Sequence, residues 1–104
     1  MANSYLHTME LLSVVHDKLR QIKPELVAKY PISSIGLFGS VVRDDFTDES
    51  DIDIVVEFSA PIGIEFVTLA DELEALLNRR VDLVSRRGIK PKYFEIIEKQ
   101  IVYV

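Results

Sequence analysis

A glycine–serine turn and a pair of carboxylates lie close together in the middle of the chain. A short apolar run ends in Gly39 and Ser40, a polar stretch follows, and Asp51 and Asp53 then open a second apolar run. Glycine lets the backbone approach a phosphate without a Cβ in the way, and carboxylate oxygens are ligands for Mg²⁺ or Mn²⁺. The spacing therefore predicts chemistry on a nucleotide phosphate, and nucleotidyl transfer is the simplest reaction that uses both parts.

The carboxylates are placed by the alternation of apolar and polar residues that begins at Asp51. This alternation is typical of a strand, so Asp51 and Asp53 leave the same face, with Cα atoms about 6.5 Å apart. Asp82 is the second residue of another apolar run, Val81–Val84, and is expected opposite the core. Three pooled carboxylates repel, so at least one should have a raised pKa. Two Mg²⁺ ions, or Mn²⁺, held by these aspartates would activate an attacking hydroxyl and neutralise a leaving oxygen.

Hydrogen-bond donors and cations near the turn are candidates for holding phosphate. Ser40 offers a hydroxyl and a backbone N–H at the start of a predicted helical turn, where anions are favoured. Arg43 lies one turn further on and could reach phosphate oxygens with its forked guanidinium. Further cations flank the third strand, and they form either a solvated rim or a local positive field for a triphosphate: Arg79, Arg80, Arg86, Arg87, Lys90 and Lys92.

Hydrophobic periodicity predicts the elements that position these residues. We expect Pro24 to end or break the first helix, because the residue before a proline disfavours helical torsions. The predicted order is helix, strand, strand, helix, strand, helix. Its landmarks are a helical stripe through Leu6, Met9, Leu12, Val15, Leu19 and Ile22, a short helix over 24–30, strands over 32–38, 51–58 and 81–85, a stripe through Phe66, Leu69, Ala70, Leu73, Leu76 and Leu77, a helix from Pro91, and a packed apolar segment 102–104.

The connections predict one α/β domain over residues 1–104. The first two strands are joined by a loop and can pair antiparallel, whereas the second and third are joined by a helix and should be parallel, with a right-handed crossover. A mixed sheet with helices packed on it follows. In this topology the end of the first strand and the starts of the other two meet at one edge, so all the site residues gather there.

Composition limits the classes of function. The net charge of -5 argues against direct, sequence-independent binding of nucleic acid, which needs clustered positive charge. There are no cysteines, no apolar stretch of the roughly 20 residues that a membrane span requires, and no secretion signal at the N-terminus. We therefore expect a cytoplasmic protein that does not interact with membranes.

The joint motif resembles a known family. Gly39-Ser40-x-x-Arg43 with Ser50-Asp51-Ile52-Asp53 is similar to the signature of the DNA polymerase β nucleotidyltransferase superfamily. The compact size and the segments Val81-Asp82-Leu83-Val84 and Ile101–Val104 resemble its minimal nucleotidyltransferase (MNT) branch. The resemblance covers the chain from about residue 32 onward. Asp44 stands where the family usually has glycine.

The resemblance implies a small nucleotidyltransferase core that uses ATP. Asp51 and Asp53 would bind two Mg²⁺, and Asp82 would help to ligate one metal and deprotonate the acceptor. Gly39 and Ser40 would hold the β- and γ-phosphates. Many members of this branch are antitoxins paired with a HEPN-type ribonuclease toxin, and some transfer AMP from ATP to a toxin tyrosine. A hetero-oligomer with such a toxin is therefore the expected assembly.

Two alternative functions stay open beside the adenylyltransferase hypothesis. One is a non-catalytic antitoxin that neutralises the toxin by steric binding. The other is a nucleotidyltransferase that acts on a small molecule. The complete carboxylate trio favours catalysis over steric binding, and the absence of a substrate-binding domain disfavours a small-molecule acceptor.

Overall fold

The computed structural model describes residues 4–104, and the side chains from residue 9 onward, so Leu6 of the first predicted stripe lies outside the described side chains. The predicted order of helices and strands is confirmed, and a short fourth strand is added to it. The elements are α1 (Ser4–Lys29), β1 (Ile32–Phe38), a 3-10 turn (Gly39–Val42), β2 (Ile52–Phe58), α2 (Glu65–Leu77), β3 (Val81–Ser85), a second 3-10 turn (Arg86–Gly88), α3 (Pro91–Glu98) and β4 (Val102–Tyr103).

The prediction that Pro24 ends the first helix is wrong. α1 runs without interruption through Pro24, which cannot donate a hydrogen bond to the carbonyl of Arg20. Beyond the proline, Leu26 is 1% exposed and Tyr30 is 6% exposed, both in the core. Burying each such side chain is worth about 1.5–3 kcal/mol, which together offsets the roughly 3 kcal/mol cost of an interior proline. Tertiary packing therefore keeps one helix where local preference indicates two.

None of the helices described between residues 4 and 104, not even the long α1, combines the length and apolar character needed to cross a membrane.

The four strands form one mixed sheet in the order β3-β2-β1-β4. β1 and β2 are antiparallel, and β2 and β3 are parallel, as the connections predict. β4 adds to the free edge of β1 in antiparallel orientation. Val102 and Val104 thus pack against the core, as expected, whereas Tyr103 pairs in the sheet with its side chain 51% exposed.

The two faces of the sheet differ in composition. On one face, strand residues such as Leu37, Ile54 and Leu83 pack with Leu19 of α1 and Leu73 of α2 into the main core. Since side chains alternate along a strand, Asp53 and Asp82 lie on the other face. The core therefore holds the strands in the register that places the aspartates side by side.

The second face is covered only in part, by the C-terminal elements. Phe94 of α3 is buried there, and with Val55 and Tyr103 it lines a small cavity of about 40 Å³. Gly36 leaves room for this layer, because a Cβ at that position would collide with the side chain of Ile101. α3 and β4 thus cover the middle of this face and leave the end with the carboxylates open.

A polar contact joins the two helices that cover the core. Glu72 of α2 accepts hydrogen bonds from the Tyr30 hydroxyl at 3.0 Å and from Lys29 at 2.8 Å. The bond from Lys29 lowers the pKa of Glu72, whereas burial raises the pKa of Tyr30. The contact therefore fixes the end of α1 against α2.

Replacing Tyr30 with Phe tests this contact, because the ring stays in the core and only the donated hydrogen bond is lost. We expect the free energy of unfolding to fall by about 1 kcal/mol, measured by urea denaturation. Tyr93→Phe is the matched control, since Tyr93 is 61% exposed on α3, and it should change stability by less than about 0.5 kcal/mol. Equal effects at both positions would mean that the contact with Glu72 contributes nothing.

Candidate active site

A tight turn follows β1 and forms one side of the site. Gly39 has a φ of +73°, in the left-handed region where residues with a Cβ are strained. The N–H of Arg43 donates to the carbonyl of Ser40 at 3.1 Å, and Val41 is fully buried. One backbone hydrogen bond and one core side chain therefore hold the turn that carries Ser40.

The turn lies directly against the first strand carboxylate. Phe38, at the end of β1, pairs with Asp53 of β2. A Cβ on Gly39 would lie 2.9 Å from Cγ of Asp53 and closer still to its Oδ2. Both the backbone torsion and the space beside Asp53 thus require glycine. The structure brings the predicted phosphate turn and the predicted carboxylate together.

Asp53 and Asp82 face each other across the parallel strands. They are direct partners in the β2–β3 register, on the face opposite the core. Burial, followed by the charge and hydrogen bonding of Asp82 and then the charge of Asp51, raises the pKa of Asp53 to about 6, although the positive charge of Arg43 opposes the shift. The expectation that pooled carboxylates raise at least one pKa is confirmed.

Asp51 lies at the same edge but faces a cation. Its Oδ1 is 3.4 Å from Nε of Arg80, and both side chains are largely exposed. In this arrangement, no three acidic or histidine side chains among residues 9–104 converge closely enough to hold a metal ion. The predicted trio of carboxylates is therefore not assembled in this structure.

The carboxylates that are present fit a divalent cation. Asp53 and Asp82 are hard oxygen donors of the kind that Mg²⁺ prefers. Burial and then the charge of Asp82 raise the pKa of Asp53, and a positive charge between the two carboxylates would relieve their mutual repulsion. Asp51, which directly precedes β2, is a further carboxylate whose charge acts on Asp53. These three aspartates are therefore the groups that would hold metal.

Arg43 does not reach the phosphate turn in this structure. Its Nε and Nη2 donate to the two carboxylate oxygens of Asp45, at 3.1 and 3.3 Å. The same hydrogen bonding lowers the pKa of Asp45. Arg43 stays a predicted phosphate ligand, one that must first leave Asp45.

The six cations around β3 separate into two groups. Arg79 and Arg80 precede the strand, at the edge where the aspartates lie, whereas the others follow it. A five-residue strand is about 16 Å long. Arg79 and Arg80 help to line a 300 Å³ cavity with Ser50 and Asn78, next to Asp51. Only this pair can supply the predicted positive field beside the carboxylates.

Glu74 is a supporting residue that the sequence did not reveal. Its Oε2 accepts a hydrogen bond from the backbone N–H of Val81 at 3.0 Å, in a partly buried position. Val81 directly precedes Asp82, so Glu74 holds the start of the strand that carries this aspartate. A possible signal was the acidic charge in the last turn of α2, where the helix dipole disfavours it.

The fold and the site together define a nucleotidyltransferase. The model of the nucleotidyltransferase domain family matches residues 19–104, and the protein belongs to that family. Protein adenylyltransferase MntA of Thermococcus cleftensis is 37% identical over 97 residues, which cover 92% of this chain and 98% of the relative. A candidate protein adenylyltransferase of Methanocaldococcus jannaschii is 43% identical over 98 residues, which cover 92% and 100%.

Solved structures are similar over most of the chain. A candidate minimal nucleotidyltransferase has a TM-score of 0.75 at 28% identity, with 88% of this chain and 93% of the other covered. A toxin–antitoxin with AMP-PNP scores 0.69 at 26% identity, covering 84% and 69%. A tri-AMPylated Shewanella oneidensis HEPN toxin in complex with MNT antitoxin scores 0.57 at 26% identity, covering 92% and 70%. The predicted fold class and the resemblance to the minimal nucleotidyltransferase branch are confirmed.

The raised pKa of Asp53 makes one contribution to the free energy of unfolding depend on pH. A carboxyl with a raised pKa binds its proton more tightly in the folded state than in the unfolded state. Its contribution to the stability of the fold is therefore full below about pH 4 and is lost as pH rises through about 6. We expect Asp53→Asn to be more stable than the wild type by about 1 kcal/mol at pH 7, after allowance for solvent screening, and equally stable at pH 4. Urea unfolding at both pH values measures this, with Asp71→Asn on the exposed face of α2 as control. A destabilised variant at pH 7 would contradict the repulsion.

Gly39→Ala tests the fit between the turn and Asp53. We expect the free energy of unfolding to fall by at least about 2 kcal/mol, because a Cβ adds left-handed strain and overlaps the carboxylate. Gly88→Ala is the matched control, since a Cβ there meets nothing within 4 Å. Thermal unfolding of both variants measures the difference, and similar melting temperatures would show that Gly39 tolerates a side chain.

Proposed function

We propose that this protein is a Mg²⁺-dependent protein adenylyltransferase that transfers AMP from ATP to a tyrosine hydroxyl of a HEPN-type toxin, and so acts as an antitoxin. The observation that carries the proposal is the juxtaposition of the Gly39 turn with Asp53 and Asp82. A protein that only masked its partner would not need a glycine-dependent turn beside two repelling carboxylates.

The similar proteins support the same reaction. One relative is named as a protein adenylyltransferase, a solved neighbour is a toxin–antitoxin with AMP-PNP, and another contains a tri-AMPylated HEPN toxin with MNT antitoxin. The open end of the sheet supports an acceptor from outside the chain. Asp51 and Asp82 are both exposed there, so a partner's side chain can approach them.

The residues of this chain divide the work of the reaction. Ser40 binds triphosphate oxygens through its hydroxyl and backbone N–H, and Gly39 allows the close approach. Asp51, Asp53 and Asp82 would hold Mg²⁺, which would neutralise charge on the phosphates and the leaving oxygen. The oxygen of the acceptor hydroxyl bonds to the α-phosphorus of ATP, and the bond from that phosphorus to pyrophosphate breaks. Asp82 takes the proton that the acceptor hydroxyl loses.

The contacts of Asp51 with Arg80 and of Arg43 with Asp45 favour a second candidate, a non-catalytic antitoxin, because they engage groups that catalysis would use. The two candidates differ in what the carboxylates contribute to neutralisation. Only the catalytic one requires AMP to appear on the toxin.

Single-turnover transfer from labelled ATP to the purified toxin tests the proposal. We expect Asp51→Asn and Asp53→Asn to abolish transfer while the fold persists. Asp82→Asn should lower the transfer rate by about 10²–10⁴-fold with little change in ATP affinity, because a general base acts mainly in the transition state. Asp71→Asn is the charge-matched control and should transfer normally.

Two outcomes would decide against the proposal. Normal transfer by Asp53→Asn would remove the carboxylates from the reaction, and full neutralisation of the toxin by that variant without transfer would establish steric masking. Equal affinity for ATP with and without Mg²⁺, measured by calorimetry, would remove the role of the metal.

A further inference from the structure

A third cavity lies at the end of the sheet opposite the aspartates. It has a volume of about 240 Å³ and lies between the ends of β2 and β3 and the start of α2. Phe58, Ile62 and Phe66 provide an apolar lining, and Ser85 and Arg87 add polar groups. The rings of Phe58 and Phe66 pack edge to face, 6.2 Å apart. None of these residues takes part in the proposed reaction.

The size of the cavity suits a single side chain. Pockets for small molecules are typically about 300–1,000 Å³, larger than this one. Apolar surface also continues outside it, because Ile64 is 76% exposed and Val67 is 52% exposed at the start of α2. An occupant that inserts one apolar group and also covers the surrounding surface is a segment of a protein, in the manner of an interface hot spot.

Four positively charged residues at this end of the sheet indicate that the partner segment is acidic. Arg86, Arg87, Lys90 and Lys92 lie within one short segment that contains no acidic residue, in a chain with a net charge of -5. Among residues 9–104, none of the four forms an ion pair.

Two carboxylates, those of Glu57 and Glu65, accompany these four cations. Arg86 stacks on the ring of Phe94, 3.4 Å from its centroid. Glu65 at the start of α2 accepts the N–H of Gly63 at 2.8 Å, and Glu57 is exposed at the end of β2. Arg87 is therefore the exposed cation that lines the cavity.

We propose that this end of the sheet, which we call the distal face, docks an acidic segment of a partner protein. The segment inserts one Leu- or Phe-like side chain between Phe58 and Phe66 and places a carboxylate on Arg87. The distal face lies at the opposite ends of β2 and β3 from Asp53 and Asp82, about 10 Å from Asp82 along β3, so the docked segment leaves the catalytic edge open.

Binding of a defined peptide to the full chain tests the proposal. The probe is a fluorescein-labelled octapeptide of Asp and Glu with one central Leu, followed by fluorescence polarisation and by amide NMR shifts. We expect saturable shifts around Phe58, Phe66 and Ser85. Arg87→Glu should weaken binding about tenfold, whereas Lys18→Glu, the same charge change on the exposed surface of α1, should weaken it less than twofold.

A second comparison isolates the apolar anchor. A peptide with Ala in place of Leu should bind about tenfold more weakly to the wild type, and filling the cavity with Ala60→Trp should remove that difference. Equal binding of the two peptides to the wild type, or equal effects of Arg87→Glu and Lys18→Glu, would overturn the proposal. So would hexanoate that binds as tightly as the peptide, or sedimentation showing a dimer that Arg87→Glu dissociates.

Discussion

The register of the two parallel strands β2 and β3 is the constraint on which the rest of the structure depends, because it holds two carboxylates face to face. Asp53 and Asp82 repel, yet the register that opposes them is fixed by apolar side chains on the other face of the same strands, such as Ile52 and Ile54, which are fully buried. A slip by one residue would exchange the two faces and bury the aspartates in the core. The hydrophobic core therefore holds the aspartates together against their mutual repulsion.

Features set by local periodicity could be predicted from the sequence. Alternation along β2 placed Asp53 on the face opposite the core, and the loop and helix connections gave the antiparallel and parallel pairings. The strand predicted from residue 51 begins at Ile52, so Asp51 lies just before it. Features set by distant partners could not. Pro24 stays within α1 because residues beyond it reach the core, a tertiary effect that overrides a local preference.

Side-chain partners were also beyond the reach of periodicity. The pairing of Arg43 with Asp45 depends on how the loop folds back, and that of Asp51 with Arg80 joins the starts of two strands. The cations around β3 look like one group in the sequence because their numbers are close. β3 separates them, so Arg79 and Arg80 lie at the end of the sheet with the aspartates and the other four lie beyond the opposite end.

The position of β4 has a consequence for the order in which the protein can form. Gly36 pairs with Tyr103, about 70 residues further along the chain. Closing so long a loop lowers the entropy of the chain before the contact can stabilise the fold. Lys23 donates to the carbonyl of Val104 at 2.7 Å, and this contact with the residue after β4 also joins distant parts of the chain. On the ribosome, β1 can pair with β2 before β4, which pairs with the other edge of β1, has been synthesised. The nascent chain thus exposes an unpaired strand edge, the kind of surface on which chains join wrongly or chaperones bind.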